Sequence, residues 1–336
     1  MTTPRPDTVR LQRIAKAHWE TGALYAAIDL GVFTHISGGA NTFDSLGAAA
    51  GIGTRNAMRL LDVLAAMGLV ERDAAGRYAN TADVERFLVK DKPTYAGTWM
   101  TFLRESWGDW NRMADHLQRQ ETDRLGMYDD LTVESAREYH AATSSIGFGA
   151  ARKFHRDVDL RGRKRIMDLG GGSGAYCIIA AETIPGIEAV VLDLPPVVEV
   201  TREYIAEHGV GDRVSAAACD FTKDPLPTGC DVAIQASNLP IYDTPIIKGL
   251  VQRIFDALEP GGEYHLVGEI LDDDRMGPIG PALWGLYEAI PGSTGHGHTE
   301  AECIGYLEAA GFTGVTATPF VPGTLTRVSG RKPGGA

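Results

Sequence analysis

Ile166-Met167-Asp168-Leu169-Gly170-Gly171-Gly172-Ser173-Gly174 runs straight into Ala175-Tyr176-Cys177-Ile178-Ile179-Ala180-Ala181. An apolar stretch closing on an acid, a cluster of glycines and a second apolar stretch predict a buried strand, a tight loop and a helix. Such a loop brings backbone N–H groups and a helix N-terminus up to a ligand with no side chain in the way. The same residues would also make an ordinary glycine-rich turn, so the neighbouring sequence has to decide.

Downstream, strand and helix patterns alternate. Ala189–Leu194 reads as a strand with Asp193 near its end, 25 residues after Asp168. Pro195–His208 reads as a helix stopped by Gly209, and Arg213–Ala216 as a third strand leading to Cys219-Asp220-Phe221. Asp231–Ala236 reads as a fourth strand ending at Ser237-Asn238. Thr244-Pro245 is expected to cap a helix through Leu258, with proline at its favoured first position. Glu259-Pro260-Gly261-Gly262 then turns into the strand Tyr264–Ile270. Thr299 and Glu302 form a capping box for a last helix closed by Gly311, and β segments near 315–320 and 324–329 finish the chain. This alternation predicts a doubly wound, mostly parallel sheet with a terminal antiparallel hairpin. Ligands in such sheets bind at the carboxyl ends of the strands, near the topological switch point. Asp168, Asp193, Asp220 and Ser237-Asn238 all fall there.

A dinucleotide site spaces its glycines GxGxxG for a pyrophosphate. Here an acid stands two residues before the loop, where it would repel phosphate and pair with an ammonium group. S-adenosylmethionine offers an ammonium, a ribose diol and an adenine, and no phosphate. Asp193 suits the ribose hydroxyls, because a carboxylate accepts both hydrogen bonds. Asp220 suits the adenine amino group, with Phe221 packing near the ring. No P-loop lysine is present for a nucleoside triphosphate.

Upstream, apolar residues recur at helical spacing from Val9 to Phe33, with Gly31 as a stop. Thr42 opens a short helix, and Thr54 is expected to cap a third in which Ala57, Leu60, Leu61, Leu64 and Met67 share a face. Leu69–Arg72 and Arg77–Asn80 flank the turn Asp73–Gly76 as a β-hairpin. Helices followed by a hairpin predict a winged helix. Its third helix sets Arg55 and Arg59 against Asp62, and its hairpin balances Glu71 and Asp73 against Arg72 and Arg77, which is not the footprint of a phosphate binder. The net charge of −12 also argues against nucleic acid or an anionic membrane as partner. No apolar run reaches the roughly 18 residues of a membrane span, and the first residues lack a signal-peptide core. Four scattered cysteines read as buried free thiols, so a cytoplasmic location is expected. The boundaries expected are 1–95 for the winged-helix domain, 96–155 for an aromatic helical connector and 156–336 for the Rossmann-like domain. Trp99, Trp107, Trp110, Tyr128 and Tyr139 enrich the connector, which would help line an acceptor pocket. His140 reads as a packing or surface histidine.

Taken together, these stretches resemble the plant-type small-molecule O-methyltransferase family in its bacterial natural-product branch. The resemblance rests on Leu30-Gly31-Val32-Phe33, Leu60–Leu64 with Met67-Gly68-Leu69, and Asp168–Gly174. It continues through Asp193-Leu194-Pro195, Cys219-Asp220-Phe221, Leu258–Gly262 and Ala309-Ala310-Gly311-Phe312, so it spans nearly the whole chain. It implies a winged-helix dimerisation domain, a Rossmann-like domain, a homodimer, a small-molecule acceptor, and S-adenosylhomocysteine as the product of S-adenosylmethionine. Cofactor contacts are implied at Gly170, Asp193, Asp220, Phe221 and Ser237; Asp168, Gly172 and Leu194 complete the expected set. The acceptor pocket is expected to draw on Trp99, Trp107, Tyr139, Trp284, Tyr287 and His296.

One departure bears on the chemistry. Family members carry a histidine base after the fourth strand, where this chain has Ser237-Asn238-Leu239-Pro240-Ile241-Tyr242-Asp243. Three readings follow. An acceptor already nucleophilic at carbon, nitrogen or oxygen needs little base, since positioning supplies much of the acceleration. Alternatively another group is the base: Tyr242, Asp243, His298, His296 or Glu288. Or His296 or His298, with Asp243 or Glu269, holds a metal. Asp272-Asp273-Asp274 reads as a solvated loop. The expected activity is methyl transfer to a small aromatic or carbonyl-bearing metabolite; the alternatives are a cyclisation or pericyclic reaction on the same fold, and a non-catalytic cofactor-binding or regulatory protein.

Overall fold

The computed structural model describes residues 6–335 except 121, 123, 124, 126 and 127. Between Glu105 and Ser106 the chain divides into two compact units.

In the first unit, α1 (Val9–Ala15), α2 (Ala17–Asp29), α3 (Val32–Ser37), α4 (Phe43–Ala49) and α5 (Thr54–Ala66) precede the hairpin β1 (Val70–Arg72) and β2 (Tyr78–Asn80). Two further helices follow, α6 (Ala82–Phe87) and α7 (Gly97–Phe102). Gly31 stops α2 in a left-handed conformation (φ 64°), but the chain at once re-enters a helix, so the single run expected to Phe33 is broken there. Thr42 makes the expected cap with Ser45. The cap of α5 is Gly53 rather than Thr54; Thr54 is the first helical residue, and its hydroxyl donates to Asp44 at 2.8 Å. Phe33, Leu46, Leu61, Leu64, Val70 and Tyr78 form the core of this unit. Helices followed by a small antiparallel wing are the expected winged-helix arrangement.

The second unit opens with α8 (Trp107–Trp110), α9 (Met113–Leu117) and the long α10 (Val133–Asp157). Then come β3 (Arg165–Leu169), α11 (Ala175–Thr183), β4 (Glu188–Asp193), α12 (Pro195–Glu207), β5 (Val214–Ala218), β6 (Cys230–Ala236), α13 (Thr244–Ala257) and β7 (Leu258–Gly268). The chain closes with β8 (Ile270–Leu271), α14 (Ile279–Tyr287), β9 (His298–Thr299), α15 (Glu300–Ala310), β10 (Thr313–Val321) and β11 (Leu325–Arg331). The main sheet has the order β10-β11-β7-β6-β3-β4-β5, with β10 and β11 antiparallel and the rest parallel. Apolar side chains leave both faces of the central strands: Met167, Leu169 and Leu192 meet α13 and α15, while Ile166, Val191 and Ile234 meet α10 and α11. Burial on both faces is what makes these strands read as continuous apolar runs. All four cysteines are free and buried. The fifth parallel strand starts at Leu258, earlier than expected; a register shift against β6 absorbs Glu259–Gly262 within the strand.

The direction of winding reverses between β3 and β6, so the glycine loop after β3 and the turn after β6 lie side by side at the switch point.

Candidate active site at the sheet switch point

Backbone geometry builds the loop first. Gly170 and Gly172 both adopt left-handed φ values, 68° and 56°. A Cβ on Gly170 would fall 2.5 Å from Asn238 Nδ2 and 3.1 Å from the Phe221 ring; one on Gly172 would fall 2.6 Å from the His140 ring. Conformation and space therefore both demand glycine there. His140 is the packing histidine expected: it is buried against the loop, and that burial lowers its pKa to about 4.

Acids surround this cradle. Asp193 closes β4 and accepts from Gly172 N–H at 2.9 Å and from Leu194 N–H at 2.8 Å, so one carboxylate fixes the loop and starts α12. It is half-buried, and burial raises its pKa to about 6. Asp168 is fully buried on the α11 side of β3. Cys177 S–H reaches its Oδ2 at 3.8 Å, while Oδ1 has no partner. Burial, then the nearby Asp193, pushes its pKa up to about 7. An orphaned buried carboxylate oxygen beside a glycine cradle suits a cation, and Asp193 retains lone pairs for a diol. The donor chemistry fits S-adenosylmethionine.

Phe221 lies over Gly170 and makes an edge contact with Tyr242 at 5.9 Å. Asp220 is engaged locally, its Oδ1 accepting from the Thr222 backbone (3.1 Å) and hydroxyl (2.5 Å) while Oδ2 pairs with Lys223 at 3.1 Å. Partial burial opposes its ionisation, but these partners prevail and hold its pKa below the usual carboxylate value. Ser237 takes a left-handed φ of 56°, unusual away from glycine, and turns the chain sharply at the end of β6. Asn238 then donates to Leu169 O at 3.0 Å and accepts from Gln235 Nε2 at 2.7 Å, and Gln235 accepts from Tyr264 O–H at 2.7 Å. This buried relay ties the glycine loop to β6 and β7. Local pattern places Asn238 at the strand end but not the roles of Gln235 and Tyr264, because the bonds from Asn238 to Leu169 and from Tyr264 to Gln235 span 69 and 29 residues.

The same unit carries buried or half-buried phenols and further acids. Tyr128 and Tyr139 are hydrogen-bonded to each other, deep in the unit yet partly open. Burial raises all three phenol pKa values. Glu269 and Asp193 add to the rise for Tyr139, and Asp193, Asp220 and Glu288 add to it for Tyr242. Glu269 follows β7 and Glu288 caps the C-terminus of α14; each is at most 9% exposed, and burial raises each pKa to about 7. Ser293 O–H donates to Glu288 Oε2 at 2.6 Å. Trp284 and Tyr287 pack edge to face on α14 at 5.6 Å, with Trp110 6.4 Å from Tyr287. Trp107 is 36% exposed at the start of α8, and Trp99 stacks on Phe102 within the first unit.

The candidate bases fare differently. His298 is fully buried; its Nε2 donates to Tyr242 O at 2.9 Å, which leaves Nδ1 to accept from Tyr306 O–H at 3.0 Å. Burial lowers its pKa to about 4. Both nitrogens are engaged, so the ring stands as a strut under Tyr242. Tyr242 stays protonated near neutrality, because burial and then three carboxylates disfavour the phenolate. Asp243, not Thr244, caps α13, accepting from Ile246 N–H at 2.9 Å, so its carboxylate has a structural task. His296 donates from Nδ1 to Gly297 O at 3.0 Å and packs against His298 with the rings tilted 30° at 4.3 Å. Among the described residues no three His, Cys, Asp or Glu side chains converge as a metal site requires, so the metal reading of His296, His298, Asp243 and Glu269 has no geometric support.

A glycine cradle at the switch point, with acids closing the flanking strands, defines a nucleoside-dependent transferase site. The O-methyltransferase domain pattern matches residues 128–313, and the O-methyltransferase dimerisation domain pattern matches residues 12–90. The chain is 33% identical over 332 residues to the 3-hydroxy-5-methyl-1-naphthoate 3-O-methyltransferase of Streptomyces sahachiroi, covering 96% of this chain and 94% of that one. It is 30% identical over 326 residues to the tetracenomycin polyketide synthesis 8-O-methyltransferase TcmO of Streptomyces glaucescens, covering 96% of each. Its fold superposes on human N-acetylserotonin methyltransferase with a TM-score of 0.80 at 23% identity, over 99% of this chain and 100% of that one. The chain belongs to the plant-type O-methyltransferase family and is an S-adenosylmethionine-dependent methyltransferase.

Proposed function

We propose that this enzyme methylates a small aromatic or carbonyl-bearing natural-product acceptor, at oxygen, nitrogen or carbon, without a histidine base. Asp168, Gly170, Gly172, Asp193, Leu194, Asp220, Phe221 and Ser237 hold S-adenosylmethionine, with Asp168 toward its ammonium and Asp193 toward its ribose. Tyr139, Trp284 and Tyr287 contribute to the acceptor side. The observation that carries this reading is the glycine cradle at the switch point, with the orphaned Asp168 carboxylate oxygen and the loop-bound Asp193 beside it.

For a hydroxyl acceptor, Glu288 takes the place of the missing histidine. Its pKa of about 7 makes it a stronger proton acceptor than an ordinary carboxylate while leaving it substantially ionised near neutrality. The acceptor O–H bond breaks with its proton going to Glu288. The oxygen forms a bond to the methyl carbon as the carbon–sulfur bond breaks, and that electron pair stays on sulfur in S-adenosylhomocysteine. For a carbon or nitrogen acceptor, positioning carries most of the acceleration.

A homodimer is part of this reading. Helix α1 buries none of its residues, and Val9, Leu11, Ile14 and Trp19 are 55–69% exposed within the region matching the dimerisation pattern or just before it. An apolar face of this kind is suited to a second copy.

The test is transfer of labelled methyl from S-adenosylmethionine to a panel of naphthols, polyhydroxylated polyketides and aryl amines. Label is expected in at least one phenol, and Glu288→Gln should lower that rate by about 10²–10⁴. Tight S-adenosylhomocysteine binding with no transfer to any acceptor would instead favour a cyclisation or a non-catalytic role.

A further inference from the structure

Asp220 and Phe221, the residues proposed for the adenine, sit on the turn at 219–224 between β5 and β6. The shape of this turn is fixed from within. Lys223 N–H and Asp224 N–H donate to Asp220 O at 2.8 and 2.7 Å, Asp220 N–H donates to Asp224 Oδ2 at 2.8 Å, and the Thr222 backbone and hydroxyl hold Asp220 Oδ1. Local bonds of this kind set the form of a turn, not where it stands on the sheet. Two hydrogen bonds tie it to other elements among the described residues. Cys219 N–H donates to Asp193 O at 2.9 Å, at the end of β4, and the Arg253 guanidinium of α13 donates to Phe221 O. A guanidinium N–H on a carbonyl is a charge-assisted bond, roughly twice as strong as a neutral one. It falls on the residue that matters for placement. The buried Phe221 ring lies 3.1 Å from where a Cβ on Gly170 would stand and meets Tyr242 edge-on at 5.9 Å. Shifting the Phe221 backbone would move that ring against the glycine cradle and carry the Asp220 carboxylate, one residue back, with it. Arg253 is half-buried and borders a cleft of about 450 Å³ lined also by Thr222, Lys223, Pro245, Ile246 and Gly249. Water in that cleft can satisfy the Phe221 carbonyl if the guanidinium is removed, so the fold can survive loss of the tether.

We propose that Arg253 is a positioning residue for adenine recognition: by holding the Phe221 carbonyl it sets the Phe221 ring and the Asp220 carboxylate where the adenine ring and its amino group meet them. This rests on the reading that Asp220 and Phe221 take the adenine, and adds the side chain, 32 residues further on, that places them.

The test is calorimetric titration of the full-length protein with S-adenosylhomocysteine and with its purine analogue lacking the exocyclic amino group. Wild type should favour the amino form by about tenfold, the worth of a hydrogen bond to a charged group. Arg253→Met keeps an apolar stem and removes the donor. It should weaken S-adenosylhomocysteine binding roughly tenfold and narrow the preference for the amino form to about threefold or less, with the melting temperature of the cofactor-free protein within about 3 °C of wild type. Arg253→Gln, a shorter and neutral side chain, is the second variant should Arg253→Met fold poorly, and the same two ratios are expected of it. A wild-type protein that binds both forms equally removes the adenine reading, and this proposal with it. A wild type that prefers the amino form, beside a variant that binds as tightly and as selectively, overturns the tether alone. Affinity lost with selectivity intact would assign Arg253 to general stability and overturn the proposal as well.

Discussion

Replacing Asn238 by alanine tests whether the glycine loop is held by the buried relay. Asn238 is 8% exposed and joins Gln235 and the Leu169 carbonyl, both fully buried, through bonds of 2.7 and 3.0 Å. The substitution removes two hydrogen bonds worth about 1 kcal/mol each and strands a buried amide and a buried carbonyl, each costing about 1–3 kcal/mol. A water entering the vacated space recovers part of this, so a net loss of roughly 2–5 kcal/mol is expected. For a unit of this size that lowers the melting temperature by roughly 5–15 °C. Because Asn238 Nδ2 presses on the space beside Gly170, the loop should also loosen, weakening S-adenosylhomocysteine binding roughly tenfold or more. Tyr264→Phe is the control: it strands only Gln235 Oε1, one link further from the loop, so stability should fall by about 1–2 kcal/mol with cofactor affinity nearly intact. Thermal melts and calorimetry read both quantities. An Asn238→Ala protein that melts within about 2 °C of wild type and binds the cofactor product within about twofold would refute the relay as the element that positions the loop.

Asp193→Ala should weaken cofactor binding by about 1–3 kcal/mol, since it removes a diol acceptor and frees the Gly172 and Leu194 N–H groups; unchanged affinity in calorimetry would remove Asp193 from the site. Asp168 gives a proton-linkage prediction. Burial raises its pKa to about 7, so in the cofactor-free protein it is largely protonated at about pH 6, whereas a cation beside it favours the ionised form. S-adenosylmethionine binding at that pH should therefore release up to about one proton, and affinity should rise as pH climbs through the raised pKa. Calorimetry in buffers of different ionisation enthalpy measures the release, and Asp168→Asn should abolish it; a value near zero in wild type contradicts the assignment. His298→Asn should lower the melting temperature while leaving the methyl-transfer rate within about tenfold, because the ring braces Tyr242 and Tyr306 and takes no proton. A loss of a hundredfold or more in rate with an unchanged melt would restore His298 as the base.

What the sequence determined by itself was whatever is written in local pattern. Apolar runs closing on Asp168 and Asp193, the glycines between Leu169 and Ala175, the capping pairs at Thr42 and Thr299, and the stop at Gly311 each depend on a few consecutive residues, so the strand–helix alternation and the position of the cofactor cradle could be read directly. Where neighbouring residues competed for one task the sequence misassigned it: Gly53 and Asp243 cap helices attributed to Thr54 and Thr244, because which residue leaves the helical conformation depends on contacts such as Thr54 to Asp44. The chemistry was not local at all. His298 is a plausible base until the fold brings Tyr242, 56 residues away, against one nitrogen and Tyr306 against the other. Glu288 is one candidate base among five until the packing around α14 buries it and raises its pKa. Proton affinity and hydrogen-bond commitment are set by burial and by partners distant in the chain, so only the tertiary structure could decide which groups around the cradle are free to act.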